Sequence, residues 1–399
     1  MSTDVVVVSA VRTPIGRFGG ALADLTAAQL GAVALRAALE RVQLAHGDVA
    51  EVFFGCARQA GGGPNVARQV TVKAGLPHEV PAVTINQACA SGLRAILMGA
   101  EAIMLGRATV VAVGGTESMS RVPFLLERAR WGYRLGHGEV VDGMYRDGFS
   151  CPLSEKIMGE TAETLAEQYG ISRETQDAFA LESQQKAARA AAEGAFVDEI
   201  APVDFEAFGF TGKKARPIFA VDEHPRADTT LASLKKLPPV FKGTITAGNA
   251  SGITDGAAAL ILMSAEEAAR RGLVPLAHLR EYAAVGLDPA VMGLGAALAA
   301  KAVLERAGLS PDAIDLYEVN EAFAAQVLAC QELYRLPEAR INVLGGSIAL
   351  GHPIGCTGAR ITVTLLHAMR RSNARNGLAT LCVSGGMGLA ARFERPSVG

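Results

Sequence analysis

Three glycine-dense stretches of this 399-residue chain each carry a side chain capable of covalent or proton-transfer chemistry. In Thr84-Ile-Asn-Gln-Ala-Cys89-Ala-Ser-Gly92 an extended segment enters a small-residue turn. A helix-period stretch follows, with Leu93, Ile96, Leu97, Ile103 and Met104 as its apolar positions. Cys89 is thus expected at or just before a helix N-terminus, where unpaired N–H groups and the dipole lower a thiol pKa of ~8.5. The same donors would face an oxyanion formed on an attacked carbonyl. The competing reading is a buried small hydrophobe, which most free cysteines are.

The second stretch, Asn342 to Gly358, embeds His352 among glycines, with Pro353 fixing the local backbone. Histidine is the side chain best suited to take a thiol proton near neutral pH. His46, His78, His137 and His224 lack such surroundings and read as structural; Cys356, in the same loop as His352, reads as packing. The third stretch, Cys382-Val-Ser-Gly-Gly-Met-Gly388, puts a thiol where a buried-strand pattern meets a glycine turn. It is either a second proton carrier acting at a substrate carbon or a strand-core cysteine. A fourth element, Asn320-Glu321-Ala322-Phe323, follows the apolar run Asp315 to Val319, as a site edge or with Asn320 as a helix N-cap. All four fall at the C-terminal ends of strand-like segments, where open α/β sheets place their sites.

The elements that must position them occur twice. Leu30 to Gly55 and Gly295 to Val319 each read as an Ala/Leu-rich amphipathic helix, a polar turn with Asp48 or Asp312, and an apolar strand. Cys89 to Arg94 and Cys356 to Arg360 each open a helix, and Gly92 corresponds to Gly358. The runs Thr109 to Gly115 and Leu378 to Gly386 each end in a glycine pair. In the second half a terminal strand, Met387 to Phe393, follows at once; in the first half its counterpart, Asp255 to Met263, comes about 140 residues later. The spacing predicts a tandem α/β duplication: residues 1–119 plus 247–270, an inserted lobe 120–246, and residues 271–399. The insertion should hold a helix from Gly159 to Gly170, another capped by Ser172, and Pro- and Lys-rich loops at Thr211 to Pro217 and Leu234 to Lys242. A long insertion at the strand-end face is where substrate-covering segments lie.

Composition narrows the class. Lys+Arg 38 against Asp+Glu 40 leaves no electrostatic footprint for nucleic acid. The 20% charged and 50% hydrophobic residues exclude a disordered chain. No apolar run approaches the ~18 residues of a membrane span, and the first residues lack a basic leader pattern, so a cytoplasmic protein is expected. The six cysteines form no C-x-x-C pair, predicting free thiols and no metal site.

Taken together, Asn86-Gln-Ala-Cys89-Ala-Ser-Gly92, Asn320-Glu-Ala-Phe323, Gly351-His-Pro-Ile-Gly355 and Cys382 to Gly388 resemble, in order, the four active-site loops of the thiolases. Arg12 to Gly16, Thr246 to Gly252 and Asp288 to Gly293 resemble further family segments, so the resemblance spans about Val5 to Arg392. It implies duplicated βαβαβ domains in a layered α/β/α/β/α arrangement, and ping-pong acyl transfer. Cys89 would carry the acyl group, His352 would activate it and polarise the thioester oxygen, and Asn320 would position a water in that oxyanion hole. Cys382 would move the α-proton of acetyl-CoA, and the N–H groups of Cys89 and Ser384 would hold the other oxyanion.

Coenzyme A, a substrate with no tightly bound cofactor beside it, would lie along Ala247 and Ser251, with Arg226 and Ser233 near its nucleotide. Met158, Met292, Ala322 and Phe323 would line the acyl and pantetheine tunnel, although Met158 and Met292 also suit plain core filling. The family further implies a homodimer or homotetramer. Two residues depart from its pattern. Ile157 stands where many short-chain members have histidine, leaving longer 3-ketoacyl chains open, and Ser384 stands where glycine is usual. The rival readings are a decarboxylating ketoacyl synthase, which would pair its cysteine with two histidines, and a non-catalytic CoA- or lipid-binding scaffold.

Overall fold

The computed structural model describes residues 3–207, 209 and 217–396. The loop expected at 211–217 therefore lies, except for Pro217, outside the described residues. The first half runs β1 (Val5–Arg12), α1 (Ala27–Arg41), β2 (Glu51–Gly55), α2 (Val66–Lys73), β3 (Ala82–Ile85), α3 (Ser91–Met104) and β4 (Val110–Ser118). Within the insertion stand α4 (Met158–Gln168) and α5 (Arg173–Ala192), the latter capped by the Ser172 side chain as its sequence predicts. The second half follows as β5 (Thr254–Ser264), β6 (Ala277–Gly286), α6 (Gly295–Ala307), β7 (Leu316–Val319), α7 (Ala324–Leu333), α8 (Ile354–Ser372), β8 (Asn376–Val383) and β9 (Met387–Glu394).

Chain order and sheet order part company at the insertion. The strand beginning near Asp255 returns to the first half, and β5 pairs antiparallel with β4 from Asp255↔Ser118 to Met263↔Val110. The spatial order is β7-β8-β9-β6-β1-β5-β4-β2-β3. In both halves a parallel pair (β2 with β4, β7 with β8) continues into antiparallel neighbours. The halves join where β1 meets β6, at Val6↔His278 and Val7↔Ala277. The duplication is incomplete: β3 has a four-residue ladder with β2, whereas its second-half counterpart is a single bridge, Tyr317↔Ile341.

Period-two alternation sorts the side chains of each strand into layers. In β4, Val111 and Val113 point to a central core shared with Leu93, Ile96, Ile361 and Leu365 of α3 and α8. Val110 and Ala112 point the other way, against Leu30, Leu35 and Leu39 of α1. Across the second sheet Val303 and Leu304 of α6 pack on Leu378 and Ala390. The result is α1/α2, sheet, α3/α8, sheet, α6/α7: the five-layered α/β arrangement that the family resemblance implies. Burying each leucine in these layers stabilises the fold by about 1.5–3 kcal/mol.

Of the two central helices, α8 is sealed on every side over most of its length. All residues of α8 from Ile354 to Met369 are buried, so its polar groups must be satisfied internally. Thr357 and Thr362 do so by donating back to the carbonyls of Pro353 and Gly358. The duplicated glycines are where α3 and α8 touch. A Cβ on Gly92 would lie 2.6 Å from the Ala359 nitrogen, and one on Gly358 2.4 Å from the Leu93 nitrogen. Any side chain there would push the two helix N-termini apart, and with them the loops that carry Cys89 and His352.

Candidate active site

Each candidate loop is held by hydrogen bonds set in its own local sequence. Before α3, Asn86 accepts from the Ala88 N–H at 3.0 Å, and Ser91 both accepts from Gln87 N–H at 2.9 Å and donates to Ala88 O at 2.7 Å. These bonds hold Ala88 at φ 44, a left-handed conformation that costs a non-glycine residue on the order of 1 kcal/mol. A short 3-10 turn, Ala88–Ala90, then presents Cys89 ahead of the helix proper.

The other loops are tied to one another. The Thr246 to Gly252 segment bonds to the Asn320 loop through Ser251 N–H to Ala322 O at 3.0 Å and Ala324 N–H to Asn249 O at 2.9 Å. It also meets the His352 loop, whose N–H donates to Gly252 O at 3.1 Å. Glu117, at the end of β4, accepts from Ala57 and Arg58 N–H at 3.0 Å and from Gly355 N–H at 2.8 Å. A single buried carboxylate thereby joins a first-half strand end to the His352 loop; burial raises its pKa, against the pull of the Arg58 charge.

Cys89, His352, Cys382 and Ser384 line one cavity of about 230 Å³. So do Met158, Met292, Ala322, Phe323, Ala247 and Ser251. Arg226 and Ser233 do not; they line a second cavity that shares Ala247 with the first. Asn320 is not among the lining residues of either. It is fully buried and caps no helix, since the N-cap of α7 is Phe323.

The hydrogen bonds around His352 and Asn320 fix which atoms face the chemistry. Thr357 has one hydroxyl proton and gives it to Pro353 O at 3.0 Å. Its oxygen must then accept from His352 Nδ1 at 2.6 Å, so the imidazole carries its proton on Nδ1 and leaves Nε2 as a base. Burial, then the charges of Arg360 and Arg58, push the His352 pKa down to about 3, so the ring stays neutral. A parallel argument orients Asn320. Arg360 can only donate, and gives Nη2–H to Ser347 Oγ at 2.7 Å; Ser347 passes its own proton to Asn320 Oδ1 at 2.6 Å. That leaves the amide Nδ2 as a buried donor with no partner among the described residues, as a water-holding group would be.

The Cys89 thiol differs from the expectation for a helix N-terminus. Burial raises the Cys89 pKa; the Arg58 charge and the backbone N–H groups of Ser384 and of Cys89 itself pull it back. A local helix terminus thus does not by itself offset removal of the sulfur from water. Those two N–H groups are the same pair expected to hold an oxyanion. Cys382 is 1% exposed, and its thiol is pushed well above the usual range by burial and by its proximity to Cys89. Ile157 also lines the cavity.

Residues not singled out from sequence complete the walls: Arg58, Tyr145, Phe149 and Phe241. Arg58 lies just past the end of β2, so the strand-end rule that located Cys89 and Cys382 applies to it equally. Tyr145, Phe149 and Phe241 come from the insertion and carried no such signal. Among the described residues no group of His, Cys, Asp and Glu is arranged to hold a metal, and no helix is long and apolar enough to cross a membrane.

Residues 5–266 match the thiolase N-terminal domain and residues 273–395 the thiolase C-terminal domain. An acetyl-CoA acetyltransferase of Pseudomonas aeruginosa is 50% identical over 98% of this chain and 99% of its own length. One of Cupriavidus necator is 50% identical over 98% and 100%. Among solved structures, the Bacillus anthracis acetyl-CoA acetyltransferase superposes with a TM-score of 0.95 at 44% identity, covering 98% of this chain and 99% of that one. The human mitochondrial 3-ketoacyl-CoA thiolase in complex with CoA gives 0.94 at 40% identity, covering 99% and 98%.

Proposed function

The chain belongs to the thiolase family, and on that premise we propose that its acyl transfer runs through Cys89, with His352 and Cys382 moving the protons. It is an acyltransferase that works through a catalytic cysteine, with coenzyme A as substrate. The observation that carries the assignment of roles is one cavity holding two thiols, a histidine with a free Nε2, and two N–H groups facing the Cys89 sulfur.

In this reading His352 Nε2 takes the Cys89 proton, and the thiolate attacks the acyl carbonyl. A carbon–sulfur bond to Cys89 forms as that to coenzyme A breaks, and the departing thiolate recovers the proton. Asn320 Nδ2, through a water, and His352 steady one oxyanion; the N–H groups of Cys89 and Ser384 steady the other. In the carbon–carbon step Cys382 first passes its proton to His352 Nε2 and, as thiolate, removes the α-proton of a bound acetyl-CoA; the carbanion attacks the acyl carbonyl, and the displaced Cys89 thiolate takes the proton back from His352. Burial holds Cys382 as the thiol at rest and makes its thiolate, once formed, a strong base. Run in reverse, the same steps cleave a 3-ketoacyl-CoA.

Met158, Met292, Ala322 and Phe323 would contact acyl chain and pantetheine, Ala247 and Ser251 the pantetheine, and Arg226 and Ser233 the nucleotide. The Ala247 junction between the two cavities supports that path. The proposed division is a first repeat of residues 1–119 plus 247–270, a CoA-covering lobe of 120–246, and a second repeat of 271–399. A cytoplasmic homodimer or homotetramer completes the reading; exposed Phe124, Trp131 and Leu135 on the lobe support self-association. The test is intact-protein mass after mixing with acetyl-CoA, then peptide mapping. An acetyl group on Cys89, removed by free coenzyme A, is expected; a folded, reduced protein that gains none would overturn the assignment.

A further inference from the structure

The reacting cavity carries a guanidinium whose effect on the Cys89 thiol needs only its charge, not its hydrogen-bond donors. Arg58 lines it together with Cys89, yet among the described residues its guanidinium has no hydrogen bond or ion pair, and its Nε is buried without a partner. The nearby Glu117 carboxylate does not serve, because its oxygens are taken by the N–H groups of Ala57, Arg58 and Gly355. The insertion is shaped around the cation. A Cβ on Gly148 would lie 2.6 Å from Arg58 Nε and 2.7 Å from Nη2, so this loop packs directly against the guanidinium. The wall beside it is apolar, with Phe149, Ile157, Ile253 and Ile354. A guanidinium whose donors meet no acceptor in such a wall offers them to an anion that enters the cavity.

That anion is not the nucleotide end of coenzyme A. The second cavity holds Arg226 and Ser233 and connects to the first at Ala247, whereas Arg58, Tyr145, Gly148 and Phe149 line the first cavity alone. Resting on the thiolase reading of this cavity, we propose that Arg58 selects acyl-CoA substrates whose acyl chain ends in a carboxylate. These are short dicarboxylic acyl and 3-ketoacyl thioesters, since one cavity of about 230 Å³ holds both Arg58 and the nucleophile. A guanidinium binds a carboxylate through charge-assisted, often bidentate, hydrogen bonds and repels the end of an alkyl chain. The covalent chemistry is unchanged: the bond to Cys89 forms as the bond to coenzyme A breaks.

The test compares succinyl-CoA with 4-methylpentanoyl-CoA, in which an isopropyl group replaces the carboxylate. Acylation of Cys89 is followed by intact mass and coenzyme A release on the full-length enzyme, with Cys89→Ala as the blank. The wild type should prefer succinyl-CoA by about ten- to a hundredfold. Arg58→Met should bring the ratio to one or below, and Arg58→Lys should keep part of it. The ratio is insulated from any effect of the Arg58 charge on the thiolate, which both donors share. A wild-type ratio of one or less, or a preference that survives in Arg58→Met, overturns the proposal. Acetyl-CoA separates the two readings: no acetylation sinks the thiolase assignment itself, while acetylation without anion preference sinks only this inference.

Discussion

The two copies of the strand–turn–helix unit put a cysteine at the start of each central helix, and the two thiols meet opposite fates. Cys89 stands ahead of α3 and opens on the cavity. Cys356 lies inside the first turn of α8, 1% exposed in the central core, its thiol pushed up to about 12 by burial. Both have a helix N-terminus at hand, so the dipole does not distinguish them. What distinguishes them is access and what the opposite half supplies. The Ala88 turn holds Cys89 off the helix, and the second half contributes the Ser384 N–H and His352. At the equivalent place in the second copy, Pro353 leads directly into the helix and the sulfur is packed away. The duplication therefore yields one site by making its halves complementary rather than two sites by keeping them alike.

Exchanging the fates of the two cysteines is the strongest way to break this contrast. Cys89→Ala should abolish both the acetyl adduct and turnover. Cys356→Ala should still acylate and lose only stability, on the order of 1 kcal/mol in denaturant titration. Turnover in Cys89→Ala, or loss of acylation in a folded Cys356→Ala, would show that the halves had been assigned the wrong way round. Next in size is Cys382→Ala, expected to acetylate normally from acetyl-CoA but to lose carbon–carbon bond formation by roughly 10²–10⁴-fold. Condensation at the wild-type rate would place that proton elsewhere.

A smaller effect tests the bond between the halves. Glu117 accepts one N–H from the His352 loop and two from the end of β2, and so ties the two halves together. Glu117→Gln replaces one acceptor oxygen by a donor facing N–H groups, and should cost about 1–3 kcal/mol of stability. Equal stability to wild type would mean that the helix crossing at Gly92 and Gly358 alone holds the loops together.

Much of this was legible in the sequence, and what was not has a common cause. The repeated helix–turn–strand pattern located α1, β2, α6 and β7 to within a few residues, because amphipathic periodicity is a local property. The four loops were legible because glycine-rich turns at strand ends are local too. Illegible were the partners: Glu117 with Gly355, Arg360 with Ser347 and Asn320, and the placing of the Arg58 guanidinium beside Cys89. Each depends on segments that meet only after the sheets pack. The Cys89 pKa failed for that reason. The helix terminus that lowers it lies in the neighbouring residues, whereas the burial that raises it comes from chain far away in sequence. The missing partner strand beside β7 was equally hidden, since a single bridge leaves no strand-length pattern to read.

The finest test concerns one hydroxyl in the second copy. Thr357 is the group that commits the His352 proton to Nδ1, because its own proton goes to Pro353 O. Thr357→Val leaves that Nδ1–H without an acceptor in a buried site, and the ring can then place its proton on Nε2, where it cannot take one from Cys89. Acylation should slow by about tenfold, the lower end of what a general base supplies, while Thr357→Ser should restore it. A purely steric role would give the reverse, since valine keeps the shape that serine loses. The pH dependence makes the same point. With its pKa held down to about 3, His352 stays neutral through the range where a free imidazole titrates, so wild-type acylation should show no inflection near ~6.5. Unfolding frees the ring to bind a proton that the folded chain refuses. The His352 contribution to stability is thus complete above the unfolded value of ~6.5 and declines as pH falls from there toward about 3. An acylation rate that falls at pH 6.5 while the protein stays folded would mean that the base is a group other than this buried imidazole.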